Sequence, residues 1–288
     1  MEQDDLIIST IVYPGTPVET DAVLLCESIR QFAGSLRHVP IWCFIPRNEK
    51  DMSPAVADRL HTLEASLIAF DVEKTAVRFP FAADARAAAL AETRAGDRID
   101  ILVWLSANTL VLQEPTDFLL PENKRLAVRP VHHTIIGSPY DEPLDRFWEK
   151  IYRYCHVPDD HVFPVTTHVD YKIIRPYFNA GILVTRPKNR VLNAWYDTFM
   201  DTYQKDEFRE LFTQDEQYII FMHQAILSGV ILSRYLKDQL LELPPTYNYP
   251  LHLRDEDVTP NRPSALEELI TVRHEGFYKD PMWYAVSY

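Results

Sequence analysis

The run from Ile99 to Leu105 constrains this chain more than any other feature. Across Ile101-Leu102-Val103-Trp104-Leu105 there is no polar alternation, so a strand built from it has to be covered on both faces. That is the condition of a central strand in a largely parallel sheet flanked by helices. Short β-rich runs alternate with helical patterns around it, the order of an α/β fold with a Rossmann-like sheet. Strands are expected over Leu6 to Tyr13, Val39 to Ile45, Ser66 to Val72, Ile99 to Leu105 and Thr109 to Leu112. Between them, one helix places Val23, Leu24, Ile29 and Phe32 on a face and stops at Gly34. A second spans Pro54 to Leu63, and a third is the alanine-rich Ala82 to Thr93. Open α/β sheets bind ligands beyond the carboxyl ends of their strands. Ser106, Ala107 and Asn108 therefore stand where chemistry is expected.

Beyond about Asn123 the segments lengthen and grow richer in proline and aromatic residues. Phe178 to Thr185 reads as a strand entered through Asn179-Ala180-Gly181. The next helix carries Val191, Leu192, Trp195, Tyr196, Phe199, Met200 and Tyr203 at helical spacing, a core face. A helix from Gln214 to Leu227 is followed by an apolar turn into a strand at Val230 to Leu232, and Leu243 to Pro250 forms a rigid aromatic loop. Thr213 and Glu216 fit a capping box for the helix after them. Asp255-Glu256-Asp257 reads as a solvated loop, and Tyr247 and Asn248 as a rigid turn or a pocket wall.

With 288 residues, 47% of them hydrophobic, the chain buries a sizeable core, read here as one domain over 1–288 with halves 1–125 and 126–288. A net charge of -13 disfavours nucleic acid and anionic membrane surfaces, while an anion held in a local basic pocket stays open. Cys26, Cys43 and Cys155 are too few and too separated for a disulfide framework or a zinc site and are expected reduced in the core. His132-His133 lacks the neighbouring carboxylates of a metal site. No stretch reads as a signal peptide or a membrane span, so a cytoplasmic location is expected.

Four segments, in order, resemble glycosyltransferase family 8, the glycogenin-like group of the GT-A fold. Val103 to Val111 resembles its strand, DXD motif and following strand. Tyr177-Phe178-Asn179-Ala180-Gly181-Ile182-Leu183-Val184 is similar to its Phe-Asn-Ser/Ala-Gly strand, and Gln214-Asp215-Glu216-Gln217 to its Asp-Gln-Asp element. Leu243 to Tyr249 and His274 to Lys279 are similar to its Leu-Pro-X-X-Tyr-Asn loop and its C-terminal His, Gly and Lys segment. The resemblance implies a GT-A fold whose first half binds the nucleotide and whose second half meets the acceptor. It also implies a nucleoside diphosphate sugar donor, an acceptor that is a saccharide, lipid or protein, and a retaining outcome. Thr10, Val12 and Tyr13 would meet base and ribose, and Arg86 the donor. Asp215, Gln217 and Asn179 would serve the transferred sugar, and Arg273, His274 and Lys279 the diphosphate. A homo-oligomer stays open.

The family's aspartates, with a histidine, hold Mn²⁺ or Mg²⁺. Here Ser106 and Asn108 replace them, leaving Asn108 and His274 as the remaining candidate ligands, and a site without carboxylates loses most of its attraction for a dication. Three readings stay open: an enzyme with weak or no metal dependence, a catalytically inactive GT-A-fold binding protein or scaffold, or a metal site rebuilt from elsewhere. Nucleotidyl transfer is disfavoured because no glycine-rich, lysine-bearing phosphate loop follows the first strand. The bland roles are plain as well: Arg86 as a solvated helix charge, Asp215 as a helix-start residue, and Asn179-Ala180-Gly181 as a strand start with a glycine for close packing.

Overall fold

The computed structural model describes residues 5–15, 18–46, 49–76, 79–260 and 262–274. Twelve strands are β1 Leu6–Ile11, β2 Ile41–Ile45, β3 Ala65–Ala69, β4 Ile101–Leu105, β5 Thr109–Val111, β6 Leu126–Val128, β7 Val165–Thr166, β8 Ile173–Ile174, β9 Ile182–Thr185, β10 Leu240–Glu242, β11 Tyr249–Pro250 and β12 Thr271–Arg273, among the described residues. The helices are α1 Glu19–Phe32, α2 Pro54–Thr62, α3 Ala82–Ala95, α4 Arg146–Cys155, α5 Val191–Thr202, α6 Asp206–Gln214 and α7 Gln217–Arg234. Seven strands form the main sheet in the order β10-β6-β9-β4-β1-β2-β3. Strands β1, β2, β3 and β4 run parallel, and β9 is antiparallel to both β4 and β6.

Strand β4 sits between β1 and β9 with every residue buried. Leu102 and Trp104 enter the core beneath α3, α4, α5 and α7, whereas Ile101, Val103 and Leu105 enter the core beneath α1 and α2. Each such side chain removed from water is worth roughly 1.5–3 kcal/mol, so the strand is fixed from both sides. Its start is Ile101 rather than Ile99, because Asp100 pairs with Arg186 instead of entering the sheet.

Helix α1 buries Ala22, Leu25, Cys26 and Ile29, an i, i+3, i+4, i+7 stripe. Leu24 and Phe32, expected on the inner face, are each 44% exposed. Cys26 and Cys43 meet across helix and sheet at 4.0 Å, and all three cysteines are free and buried. The segment expected to turn into a strand at Val230 is helical throughout, as α7 continues to Arg234. The capping box at Thr213 and Glu216 does not form, because α6 runs through to Gln214. Thr213 donates to Glu210 O at 2.7 Å, and Asp215 Oδ1 accepts from Gln217 N at 2.9 Å to start α7. Asp257 leaves the expected solvated loop: it is 5% exposed and accepts from the Tyr249 hydroxyl at 3.0 Å and Thr259 N at 2.8 Å.

At Gly229 α7 meets α4 closely: a Cβ there would lie 2.6 Å from Cys155 Sγ and 3.1 Å from Ile151 Cγ2. Neither neighbour is the free end of a flexible side chain. Gly229→Val is therefore expected to cost about 1–3 kcal/mol through overpacking, read as a lower midpoint in thermal denaturation. An unchanged midpoint would show that the two helices do not approach this closely.

Candidate functional site at the carboxyl edge of the sheet

The site begins where β4 ends. Ser106 N donates to Gly181 O at 2.9 Å, and Thr109 N returns to Ser106 O at 3.1 Å, so Ser106-Ala107-Asn108 forms a turn into β5. The strand expected from Phe178 starts only at Ile182, and Asn179-Ala180-Gly181 is a separate turn beside Ser106. That turn is held from α7. Ser228 Oγ accepts from Phe178 N at 2.9 Å, Gln224 Oε1 accepts from Ala180 N at 2.9 Å, and Asn179 Oδ1 accepts from Gly181 N at 2.8 Å. The polar residues that interrupt the apolar run of α7 thus satisfy backbone groups that a regular strand would have paired.

A second small sheet brings in the end of the described chain. Strand β12 pairs antiparallel with β5, setting Arg273 opposite Thr109, and His274 N donates to Asn108 O at 3.1 Å. The consequence is a crowded point above Gly181. A Cβ at that position would collide with Arg273 Nη1 and lie 2.9 Å from both Asn179 Oδ1 and Ser106 Oγ. The space beside Gly181 is thus where three polar side-chain ends from three segments converge.

The end of β1 forms the adjoining wall. Thr10 and Val12 are 0% and 1% exposed. Thr10 Oγ1 has no hydrogen-bond partner among the described residues, and Val12 N donates to Phe44 O at 2.8 Å. Tyr13 is only partly buried, and its hydroxyl donates to Asp84 Oδ2 in the first turn of α3. Burial pushes the Asp84 carboxyl up to about 6, against the lowering effects of the Tyr13 hydroxyl, a backbone N–H and the charge of Arg273. Arg273 is thus within electrostatic reach of Asp84 as well as beside Ser106.

Buried basic groups gather behind the Asn179 turn, whose Asn179 N donates to Arg129 O. Arg129 is 4% exposed, donates to Leu243 O at 2.8 Å, and lies 3.7 Å from the Glu242 carboxylate. His132 is held well below the ordinary histidine range, by burial first and then by His168, Arg273, His252 and Arg129. Burial and Arg129 take His168 down to about 3, against the charge of Asp257. His132 Nε2 lies 3.1 Å from Asn248 O and 3.2 Å from Asn248 Nδ2. Asn248 itself is 1% exposed with φ +53, a left-handed conformation that asparagine tolerates. Asn248 and Tyr247 are therefore interior posts: the Tyr247 hydroxyl accepts from Asp117 N at 3.1 Å and its ring packs on Phe118.

The structure brings together Tyr13, Ser106, Asn108, Asn179 and His274 from the sequence reading. Arg86 is elsewhere: its guanidinium lies over the Tyr196 ring, 5.0 Å from the centroid, about 200° around α3 from Asp84. Asp215 and Gln217 are exposed at the corner between α6 and α7, with Asp215 roughly 13 Å along the helix axis from Gln224. Lys279 lies outside the described residues. Sequence reasoning missed Asp84 and Gln224. Asp84's signal was an acid in the first turn of the alanine-rich helix, and Gln224's was an amide in an otherwise apolar helix.

The donors around Ser106 are a hydroxyl, two amides and an imidazole, with a guanidinium among them. Among the described residues no group of three or more His, Cys, Asp or Glu side chains is placed to hold a metal. Neutral oxygens beside a fixed cation do not fit a hard dication such as Mg²⁺ or Mn²⁺, which favours carboxylates.

A family model described as a Rhodobacterales glycosyltransferase domain matches residues 9–233. Three solved structures are similar over nearly the whole chain. The bifunctional glycosyltransferase WbbM has a TM-score of 0.52 at 18% identity over 95% of this chain, which spans 46% of that one. Mouse xyloside xylosyltransferase 1 gives 0.53 at 9% identity over 94% of this chain and 98% of that one. The galactosyltransferase LgtC, solved with donor and acceptor sugar analogues, gives 0.51 at 14% identity over 97% and 92%. These likenesses show the GT-A fold expected from the sequence. No curated protein matches the chain.

Asp84 supplies a test of the geometry. Its native carboxyl titrates near 6 and its unfolded one near 4, so the native state holds the extra proton between these values. The group's contribution to stability is full below about pH 4 and is lost as pH rises through about 6. Asp84→Asn is therefore expected to raise the thermal midpoint relative to wild type more at pH 8 than at pH 4.5. Equal effects at both pH values would contradict the assigned burial.

Proposed function

We propose, since this chain belongs to the Rhodobacterales glycosyltransferase domain family, that it transfers a glycosyl group from a nucleoside diphosphate sugar to an acceptor hydroxyl on a saccharide, lipid or protein. The observation that carries the reading is the convergence of Ser106, Asn179, Gly181 and Arg273 beyond β4, where a GT-A sheet presents its ligand site. In this reading residues 1–125 form the nucleotide-binding half and 126–288 the acceptor side, and the protein works in the cytoplasm. Among the described residues no helix is long and apolar enough to cross a membrane.

Tyr13, at the open end of β1, is assigned to the base and ribose, with Thr10 and Val12 shaping the wall beneath. Ser106-Ala107-Asn108 stands at the family 8 DXD position, and Asn179 faces the sugar or the acceptor. Asp215 with Gln217 is assigned to the transferred sugar and His274 with Lys279 to the diphosphate, while Arg86, turned toward Tyr196, stands outside this assignment. The neutral residues at 106 and 108 favour weak or no dependence on Mn²⁺ or Mg²⁺. They also support a second reading, a GT-A-fold protein that binds donor without turning it over.

A panel of UDP- and GDP-linked sugars separates the two. The enzyme reading expects calorimetric binding of at least one donor and slow release of its sugar to water, with Asp215→Ala lowering that release about 100-fold or more. Binding without any release favours the non-catalytic protein. Absence of binding to every nucleotide sinks both.

A further inference from the structure

Arg273 closes β12 and is 7% exposed. Its Nη1 occupies the space above Gly181, where Ser106 Oγ and Asn179 Oδ1 each lie 2.9 Å from the same point. The backbone around it is anchored on both sides, by the pairing of Arg273 with Thr109 and by the hydrogen bond from His274 N to Asn108 O. Its charge reaches both walls of the site, since it lowers the Asp84 carboxyl and holds down the His132 imidazole. Arg129, a second buried guanidinium, acts on His132 and His168 from behind. A chain of net charge -13 thus places two buried guanidiniums where its sheet ends.

We propose that Arg273 is the group that receives the donor diphosphate, in the place beside Ser106 and Asn108 where a divalent cation would otherwise stand. The inference rests on the glycosyl-donor reading above. A guanidinium is permanently charged and offers five N–H donors in a planar fork that matches phosphate oxygens two at a time. Burial keeps its field strong and lets a diphosphate offset the cost of holding a cation out of water. In transfer, the bond from the sugar C1 to the β-phosphate oxygen breaks and leaves its electron pair on that oxygen. The acceptor oxygen bonds to C1, and its proton passes to the departing diphosphate. Arg273 neutralises the negative charge that collects on the leaving group, while Ser106 Oγ and Asn179 Oδ1, beside the same point, are acceptors placed for its remaining N–H groups.

The test is calorimetry with UDP, GDP, UMP and GMP on wild type and on Arg273→Gln and Arg273→Lys, with EDTA or Mn²⁺ present. Expected results are diphosphate binding by wild type in EDTA that Mn²⁺ leaves unchanged, and a loss of about tenfold or more for UDP or GDP in Arg273→Gln. The loss for UMP or GMP should be smaller, and Arg273→Lys should lie between. A folded Arg273→Gln that binds the diphosphates as wild type does overturns the assignment, with the glycosyl-donor reading left standing. Wild-type binding that vanishes in EDTA and returns with Mn²⁺ overturns it equally, and this arm decides the matter if Arg273→Gln fails to fold. If no nucleotide binds wild type at all, the donor reading itself falls.

Discussion

The complete burial of β4 is the constraint from which the rest of the candidate site follows. A strand covered by helices on both faces and flanked by β1 and β9 offers solvent nothing along its length, so only its carboxyl end is available. What arrives there is decided by its neighbours. Strand β9 lies antiparallel to β4, which sets the Asn179 turn against Ser106. Helix α7 supplies the two side chains, Gln224 and Ser228, that replace the sheet bonds this turn gives up. Breaking either of these supports would leave a backbone N–H unsatisfied in the interior, at a cost of about 1–3 kcal/mol.

The groups buried at the site differ in kind from the chain as a whole. The chain is acidic overall, yet the groups gathered behind β4 are two buried arginines and a set of histidines held neutral by burial and by those same charges. Neutral imidazoles there are a consequence of the field, because each proton added to His132 would face Arg273, Arg129 and two further histidines. Asp84 is the counterweight on the α3 side, and its carboxyl responds to burial more than to the neighbouring cation. The region is thus poised between an acid that ionises late and bases that hardly charge at all.

How much of this was legible in the sequence varies with the range of the interaction responsible. The apolar run at Ile101–Leu105, the alanine-rich helix and the proline-started α2 announce themselves locally, and the structure keeps them within a residue or two. The stretch after Ile226 misleads because a buried helix and a buried strand share an apolar composition, and the close approach of Gly229 to Cys155 is a fact of tertiary packing. The same holds for Asp257, which looks like one more surface acid until Tyr249 folds over it. At the site, the place of Ser106 and Asn108 at the end of an apolar strand is legible locally, whereas Asn179 is marked only through the family resemblance. The role of Gly181 and the proximity of Tyr13 to Asp84 depend on elements far apart in the chain. Arg86 shows the converse: a basic residue at a promising position whose helix phase turns it toward Tyr196.

The pairing of β12 with β5 has a consequence for how the protein is made. Ser106 and its turn leave the ribosome early, whereas Arg273 is synthesised only after α7 and the loop that follows it. During translation β1 to β4 and β9 can assemble while the crowded point above Gly181 still lacks the Arg273 guanidinium. That point is completed only when a late strand folds back onto an early one.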